Sequence, residues 1–165
     1  MNEQAKTVAN SQAEMIEIVF PNDANPHGNV FGGRVMQLID IIGGVAAMRH
    51  ARKTVVTASM DRLDFLSPAY IGEVLILNAS VNCVGNTSME VGVKVMAENP
   101  LTGERRHTGS AYLTYVAIDS TGKPVPLPPI VPETDEEKRR LAEALARRAH
   151  RLATRKAKGK SYFAK

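Results

Sequence analysis

Apolar and polar positions alternate along most of this chain and switch to a helical period twice. Residues 13–20 (AEMIEIVF) alternate enough for a strand, closed by Pro21-Asn22-Asp23. Residues 35–48 (VMQLIDIIGGVAAM) are apolar or small nearly all round, which predicts a buried helix running from about Arg34 to about Ala51. Residues 54–65 (TVVTASMDRLDF) read as a second strand, with Met60, Arg62 and Asp64 on one face and Ser59, Asp61, Leu63 and Phe65 on the other. Residues 74–84 and 89–97 flank Gly85-Asn86 as a hairpin, and residues 105–118 form a fifth strand that ends at Asp119-Ser120-Thr121-Gly122. One apolar helix and about five mostly antiparallel strands predict an α+β fold in which the sheet curls around the helix and buries it. Residues 125–132 (VPLPPIVP) then lead away in extended form, and Thr134-Asp135-Glu136-Glu137 predicts a capping box for a final helix with the apolar stripe Leu141, Leu145, Ala149 and Leu152. The expected organisation is a polar leader over 1–12, one domain over 13–122, a Pro-rich linker over 123–133 and a basic helix and tail over 134–165.

Composition narrows the class. A chain of 165 residues with 44% hydrophobic and 23% charged residues is an ordinary single globular domain, and 5% aromatics with no Trp argue against stacking platforms for nucleic acid. The longest apolar stretch is broken by Asp40, Gly43 and Gly44 and is too short for a membrane span, and the first residues hold no signal-peptide core. One cysteine, Cys83, cannot form an internal disulfide, which fits a cytoplasmic location. The net charge of +4 is uneven: residues 1–134 carry ten Lys/Arg against thirteen Asp/Glu, and residues 135–165 carry eleven against four. The basic character belongs to the tail, whose plain reading is a solvated or subunit-docking helix rather than a nucleic-acid reader.

Candidate chemistry gathers at the central helix. Asp40 is the one carboxylate in the apolar segment, and a charge buried there is costly unless paired or used. The turn HGNVFGGR (residues 27–34) precedes the helix, and Gly32 and Gly33 would let a ligand approach amides that carry the positive end of the helix dipole. Against these stand plainer readings: a glycine turn and cap, an Asp40 that is solvated or paired with Arg34, and Asn25, His27 and Asn29 as turn formers. No G-x-S-x-G elbow, H-E-x-x-H pair, Cys/His zinc pattern, G-x-G-x-x-G or P-loop occurs, so no metal or nucleotide cradle is indicated.

The segments PNDANPHGNVFGGRVMQLID, RHARKTVVTASMDRLDF and VGNTSMEV, in that order, resemble the hotdog-fold acyl-CoA thioesterases over about residues 13–120. The resemblance implies a sheet wrapped around a central helix, a homodimer, and commonly a trimer of dimers. It implies hydrolysis of an acyl-CoA thioester to a carboxylic acid and free CoA, with coenzyme A part of the substrate and no other cofactor. Matched onto this chain, the catalytic carboxylate is Asp40, and Asn25 is supplied across the dimer interface. Gly32 and Gly33 amides then polarise the carbonyl. Val56, Thr57 and Ala58 are expected along the pantetheine arm, with Gly85, Asn86, Thr87 and Ser88 beside it, and Arg62, Lys94 or tail arginines at the phosphates. The chain holds one hotdog unit where tandem members hold two, so a working site requires at least a homodimer.

Three rival readings differ in chemistry. A hotdog dehydratase or hydratase would pair His27 with Asp40, a nucleic-acid-binding module would use the basic tail, and a silent sensor would bind acyl-CoA without turnover. Beyond about residue 130 the resemblance fades, and the final helix takes no role from it.

Overall fold

The alternating stretches join in one antiparallel sheet. The computed structural model describes residues 4–158, so residues 1–3 of the expected leader and 159–165 of the expected tail lie outside it. Along the chain come β1 (Lys6–Thr7), β2 (Ala13–Ile18), α1 (Gly32–Ala51), β3 (Thr54–Phe65), β4 (Val74–Val84), β5 (Ser88–Glu98), β6 (Arg105–Ile118), β7 (Ile130–Val131) and α2 (Asp135–Lys158). Five strands form the sheet in the order β2-β4-β5-β6-β3, so the chain leaves one edge, traverses α1 and returns on the opposite edge. Leu75, Leu77, Val91, Val95, Leu113 and Tyr115 from the sheet meet Val35, Leu38, Ile39, Ile42, Ala46 and Ala47 of α1 in the core. Each fully buried Leu, Val or Ile there contributes about 1.5–3 kcal/mol.

Three expectations change. The sheet curls around α1 as expected but does not bury it all round: Met36 is 42% exposed, Ile41 46% and Met48 47%, on the same open face as Asp40. The regular alternation expected for β3 is broken by register shifts between Thr57 and Ser59 and between Met60 and Arg62. Met60 and Leu63, three residues apart, therefore both pack against the core, which an unbulged strand forbids. The third change concerns α2. Its capping box forms as expected, with Glu137 N donating to Thr134 Oγ1 at 3.2 Å and Thr134 N donating to Glu137 Oε2 at 3.2 Å. Yet Leu145 and Leu152 are exposed, and the helix docks through Ala144, Arg147 and Arg151 instead.

The reason lies in the sheet's outer face, which is polar. Glu90 is fully buried there and pairs with Arg147 at 2.8 Å and Arg151 at 3.5 Å, while Arg151 also reaches Asp61 at 2.8 Å. Arg147 stacks over Tyr112 at 3.8 Å from the ring centroid. A leucine stripe would leave Glu90 buried without a counter-charge, so the arginine face turns inward. The expected leader is also tied in. β1 pairs in parallel with β7, and Ser11 Oγ is buried, donating to Val8 O at 2.7 Å and accepting from Val81 N at 3.0 Å.

Candidate active site

Asp40 lies two turns past the start of α1 on the face the sheet leaves open. Thr57 of edge strand β3 donates its hydroxyl to Asp40 Oδ1 at 2.7 Å. Tyr115 of β6 is paired in register with Thr57, and its hydroxyl donates to Asp40 O at 2.9 Å and lies 3.3 Å from Asp40 Oδ1. Burial first, then the Asp40 charge and hydrogen bond, push the Tyr115 hydroxyl well above the ordinary tyrosine range, so it stays a donor. One carboxylate oxygen is thus held by donors from two strands. Arg34 does not neutralise Asp40; it pairs with Asp23 at 3.2 Å and Glu17 at 3.9 Å and donates to Gln37.

The helix start is a second polar centre. Phe31 is the N-cap residue and supplies no side-chain cap, and Phe31 O takes the amides of Arg34 and Val35. The Gly32 and Gly33 amides precede these and have no intrahelical acceptor to reach. The two glycines differ: a Cβ on Gly32 would lie 3.4 Å from the Phe65 ring, whereas one on Gly33 would meet open space. Gly32 therefore answers to Phe65 packing, and Gly33 is the open approach. Asn25 turns its Oδ1 back onto the amides of His27 at 2.9 Å and Asn29 at 3.2 Å, which orients its NH2 group away from the loop. Asn25 and Gly32 line one cavity of about 390 Å³ with Val35, Phe65, Leu66 and Thr108.

The expected CoA-arm residues separate. Thr57 joins Asp40, while strand alternation turns Val56 to the other face and Ala58 falls at the bulge. Across the sheet, Ser88 pairs with Val116 and Val116 with Val56, two strands and about 10 Å from β3. In the Gly85–Ser88 turn, Gly85 N donates to Ser88 O at 2.7 Å, Asn86 O accepts from Leu127 N and Thr87 O from Ala117 N. A Cβ on Gly85 would also collide with Arg148, so this turn is committed to the fold around it. Arg62 is paired with Asp64 at 2.6 Å, and Lys94 lines an open groove of about 880 Å³ on the outer face with Arg49 and Arg140. Among the described residues no group of three or more His, Cys, Asp or Glu is placed to hold a metal, and no helix is long and apolar enough to cross a membrane.

Tyr115 was absent from the expected site. The signal that finds it is register, since alternation along β6 places it inward, opposite Thr57 and beneath the helix.

Comparison with known proteins fits this geometry. The Thioesterase superfamily model matches residues 27–104. The Bacillus subtilis (strain 168) protein YkhA, named as an uncharacterized acyl-CoA thioester hydrolase, is 51% identical over 119 residues, covering 72% of this chain and 69% of its own. The chain belongs to the hotdog-fold acyl-CoA thioesterases. Among solved members of that family, an apo-hexameric acyl-CoA thioesterase aligns with a TM-score of 0.89 at 45% identity, over 92% of this chain and 97% of its own. The Staphylococcus aureus acyl-CoA hydrolase in complex with butyryl coenzyme A, coenzyme A and coenzyme A disulfide aligns at 0.88 and 38% identity, over 94% of each chain. Variants of that hydrolase have also been solved, with one aspartate, one asparagine or one threonine changed to alanine. The asparagine stands fifteen positions before the aspartate and the threonine seventeen after it. Against the rat cytosolic acyl coenzyme A thioester hydrolase the chain spans 39% of the relative's length.

Proposed function

We propose that this thioesterase hydrolyses acyl-CoA thioesters at a site built from two copies of the chain, Asp40 and Thr57 from one and Asn25 with the Gly32 and Gly33 amides from the other. The observation that carries this is a separation. Gly32 and Asp40 are eight positions apart on one helix, about 12 Å at 1.5 Å per residue, too far for both to act on one carbonyl. Asp40 also faces outward beside Met36, Ile41 and Met48, an apolar surface suited to a second copy. Asn25, Asp40 and Thr57 stand at the same fifteen- and seventeen-residue spacing as the residues altered in the Staphylococcus aureus hydrolase. The hexameric relative supports a trimer of such dimers.

In this reading Asp40 Oδ2 takes a proton from water as the oxygen attacks the thioester carbonyl. The oxyanion that develops is held by the Gly33 and Gly32 amides and the Asn25 NH2 group, and its collapse expels the CoA thiolate, which is then protonated. Thioesters suit this equipment because their carbonyl is weakly resonance-stabilised and thiolate leaves well, so the chemistry calls for no resident cofactor. Val56 and Ala58 on the edge strand and the Gly85–Ser88 turn remain the proposed path for the pantetheine arm, by their place at the same end of the sheet as Thr57. The buried thiol of Cys83, held above its ordinary range mainly by burial, is in keeping with a reducing, cytoplasmic compartment.

The test is complementation. Asp40→Ala and Asn25→Ala are each expected to abolish thiol release from butyryl-CoA while keeping the fold. Co-expressed, they form hybrid dimers with one intact site each and regain about a quarter of wild-type turnover. No recovery in verified hybrids would refute the shared site, and near-normal turnover by Asp40→Ala would refute its role outright.

A further inference from the structure

The arginines of α2 whose side chains are described have acid partners, with one exception. Arg139 and Arg140 pair with Glu136, Arg147 with Glu90 and Arg151 with Asp61. Arg148 makes no ion pair or hydrogen bond with any described residue. It is half-buried, and its guanidinium lies against Gly85 in the turn between β4 and β5, where an added Cβ would stand 2.9 Å from Arg148 Cζ and 3.1 Å from its Nε. Gly85 is not among the glycines with positive φ, so its backbone is one any residue can adopt, and what the missing side chain supplies is room for that guanidinium. The turn beside it has donors to spare. Gly85 N donates to Ser88 O, Asn86 O accepts from Leu127 N and Thr87 O from Ala117 N, whereas the amides of Asn86 and Thr87 and the hydroxyls of Thr87 and Ser88 reach no acceptor among the described residues. A guanidinium and several N–H and O–H donors about one turn, with no carboxylate to answer them, suit a phosphate group.

We propose that Arg148 binds a phosphate of the CoA nucleotide, seated on the Gly85–Ser88 turn. The inference rests on the reading of acyl-CoA as the ligand at Asp40 and Thr57. Ser88 pairs with Val116 and Val116 with Val56, the neighbour of Thr57, so the turn lies two strand spacings, about 10 Å, from the edge where the thioester is cleaved. The phosphates of a CoA thioester lie beyond its pantetheine arm, which when extended is longer than that gap. Two sources share this chemistry, the 3′-phosphate and the diphosphate.

Three substrates separate them: butyryl-CoA, butyryl-3′-dephospho-CoA and S-butyryl-pantetheine, which has no phosphate. Arg148→Gln removes the charge, and Gly85→Ala fills the space the guanidinium occupies while meeting only the end of a flexible side chain. Both variants are expected to raise KM for butyryl-CoA about tenfold at unchanged kcat, and to handle S-butyryl-pantetheine as the unmodified protein does. If the 3′-phosphate is the group held, the dephospho substrate is indifferent to both changes; if the diphosphate is, it shows the same tenfold rise. An unchanged KM for butyryl-CoA in either variant overturns the proposal, as does an equal rise on S-butyryl-pantetheine, the mark of a purely structural role. Calorimetry with CoA and with pantetheine reads the same contact without turnover, and Arg148→Gln should weaken the first about tenfold and leave the second alone. Arg148-dependent CoA binding by an unmodified protein that releases no thiol would sink the hydrolase reading and keep this one; normal turnover beside an indifferent Arg148→Gln sinks this one alone.

Discussion

Replacing Gly43 with alanine tests whether Asp40 is held from beneath by Tyr115. A Cβ on Gly43 would stand 2.5 Å from the Tyr115 hydroxyl oxygen and 3.3 Å from two of its ring carbons. The hydroxyl bridges to Asp40 O and Oδ1, so it cannot move aside without losing those contacts. Overpacking of this kind costs about 1–3 kcal/mol and a displaced hydrogen bond about 1 kcal/mol, while alanine's helix preference returns about 1 kcal/mol. Gly43→Ala is therefore expected to lose about 1–3 kcal/mol of stability. Tyr115→Phe removes the nearest atom at a cost of about 1 kcal/mol. In the double variant the alanine meets only ring carbons at 3.3 Å, and the two changes should couple favourably by about 1–2 kcal/mol. Urea unfolding at one fixed protein concentration reads the free energies, since an oligomer's apparent stability depends on concentration. Thiol release from butyryl-CoA should fall in Gly43→Ala because one donor to the carboxylate is displaced. Free energies that add to within about 0.5 kcal/mol would refute the close contact and with it the role of Tyr115 as a support for Asp40.

Thr57→Val keeps the side chain's shape and removes the 2.7 Å hydrogen bond to Asp40 Oδ1, so kcat should drop about tenfold with the unfolding midpoint unchanged; equal kcat would remove Thr57 from the site. Glu90→Ala leaves Arg147 and Arg151 without their buried partner and should cost about 3–5 kcal/mol, with faster proteolytic cleavage within α2; unchanged protection would show that the arginine face does not anchor the helix. The Glu73 carboxyl is held below its ordinary value of 4.5, chiefly by hydrogen bonds from Arg106. A lowered folded-state value means its stabilisation is complete above the unfolded value and is lost as pH falls through the folded one. Arg106→Leu should therefore unfold at a higher pH in acid titration, and an unshifted acid midpoint would contradict the pair.

Local pattern was enough for the elements and not for their faces. Strands β3, β4 and β6 occupy the ranges their alternation predicts, and the Thr134 capping box sets the start of α2. Faces failed where a non-local contact decides them. The bulges in β3 follow from pairing with β6, and the inward turn of Arg147 and Arg151 follows from Glu90, more than fifty residues earlier in the chain. The site divides in the same way. Asp40 stood out as a charge among apolar neighbours and Gly32-Gly33 as a glycine pair at the helix start, both local signals, while the openness of Gly33 against Gly32 depends on distant Phe65. Tyr115 and the Thr57 hydroxyl became visible only once strand register placed them under and beside the helix.

The helix also resolves a tension in its own pattern. A segment apolar nearly all round asks for cover on every side, and a single five-stranded sheet does not bury it all round, leaving Met36, Ile41 and Met48 exposed. The β3 edge beside it presents backbone that no strand among the described residues pairs. Both features fall on one flank, where the proposed second copy would add its own helix and edge strand. Asp40 stands on that flank, with one carboxylate oxygen held by Thr57 and Tyr115. In the proposed two-copy site, a carboxylate costly in a closed core would act as a base beside the partner's helix-start amides.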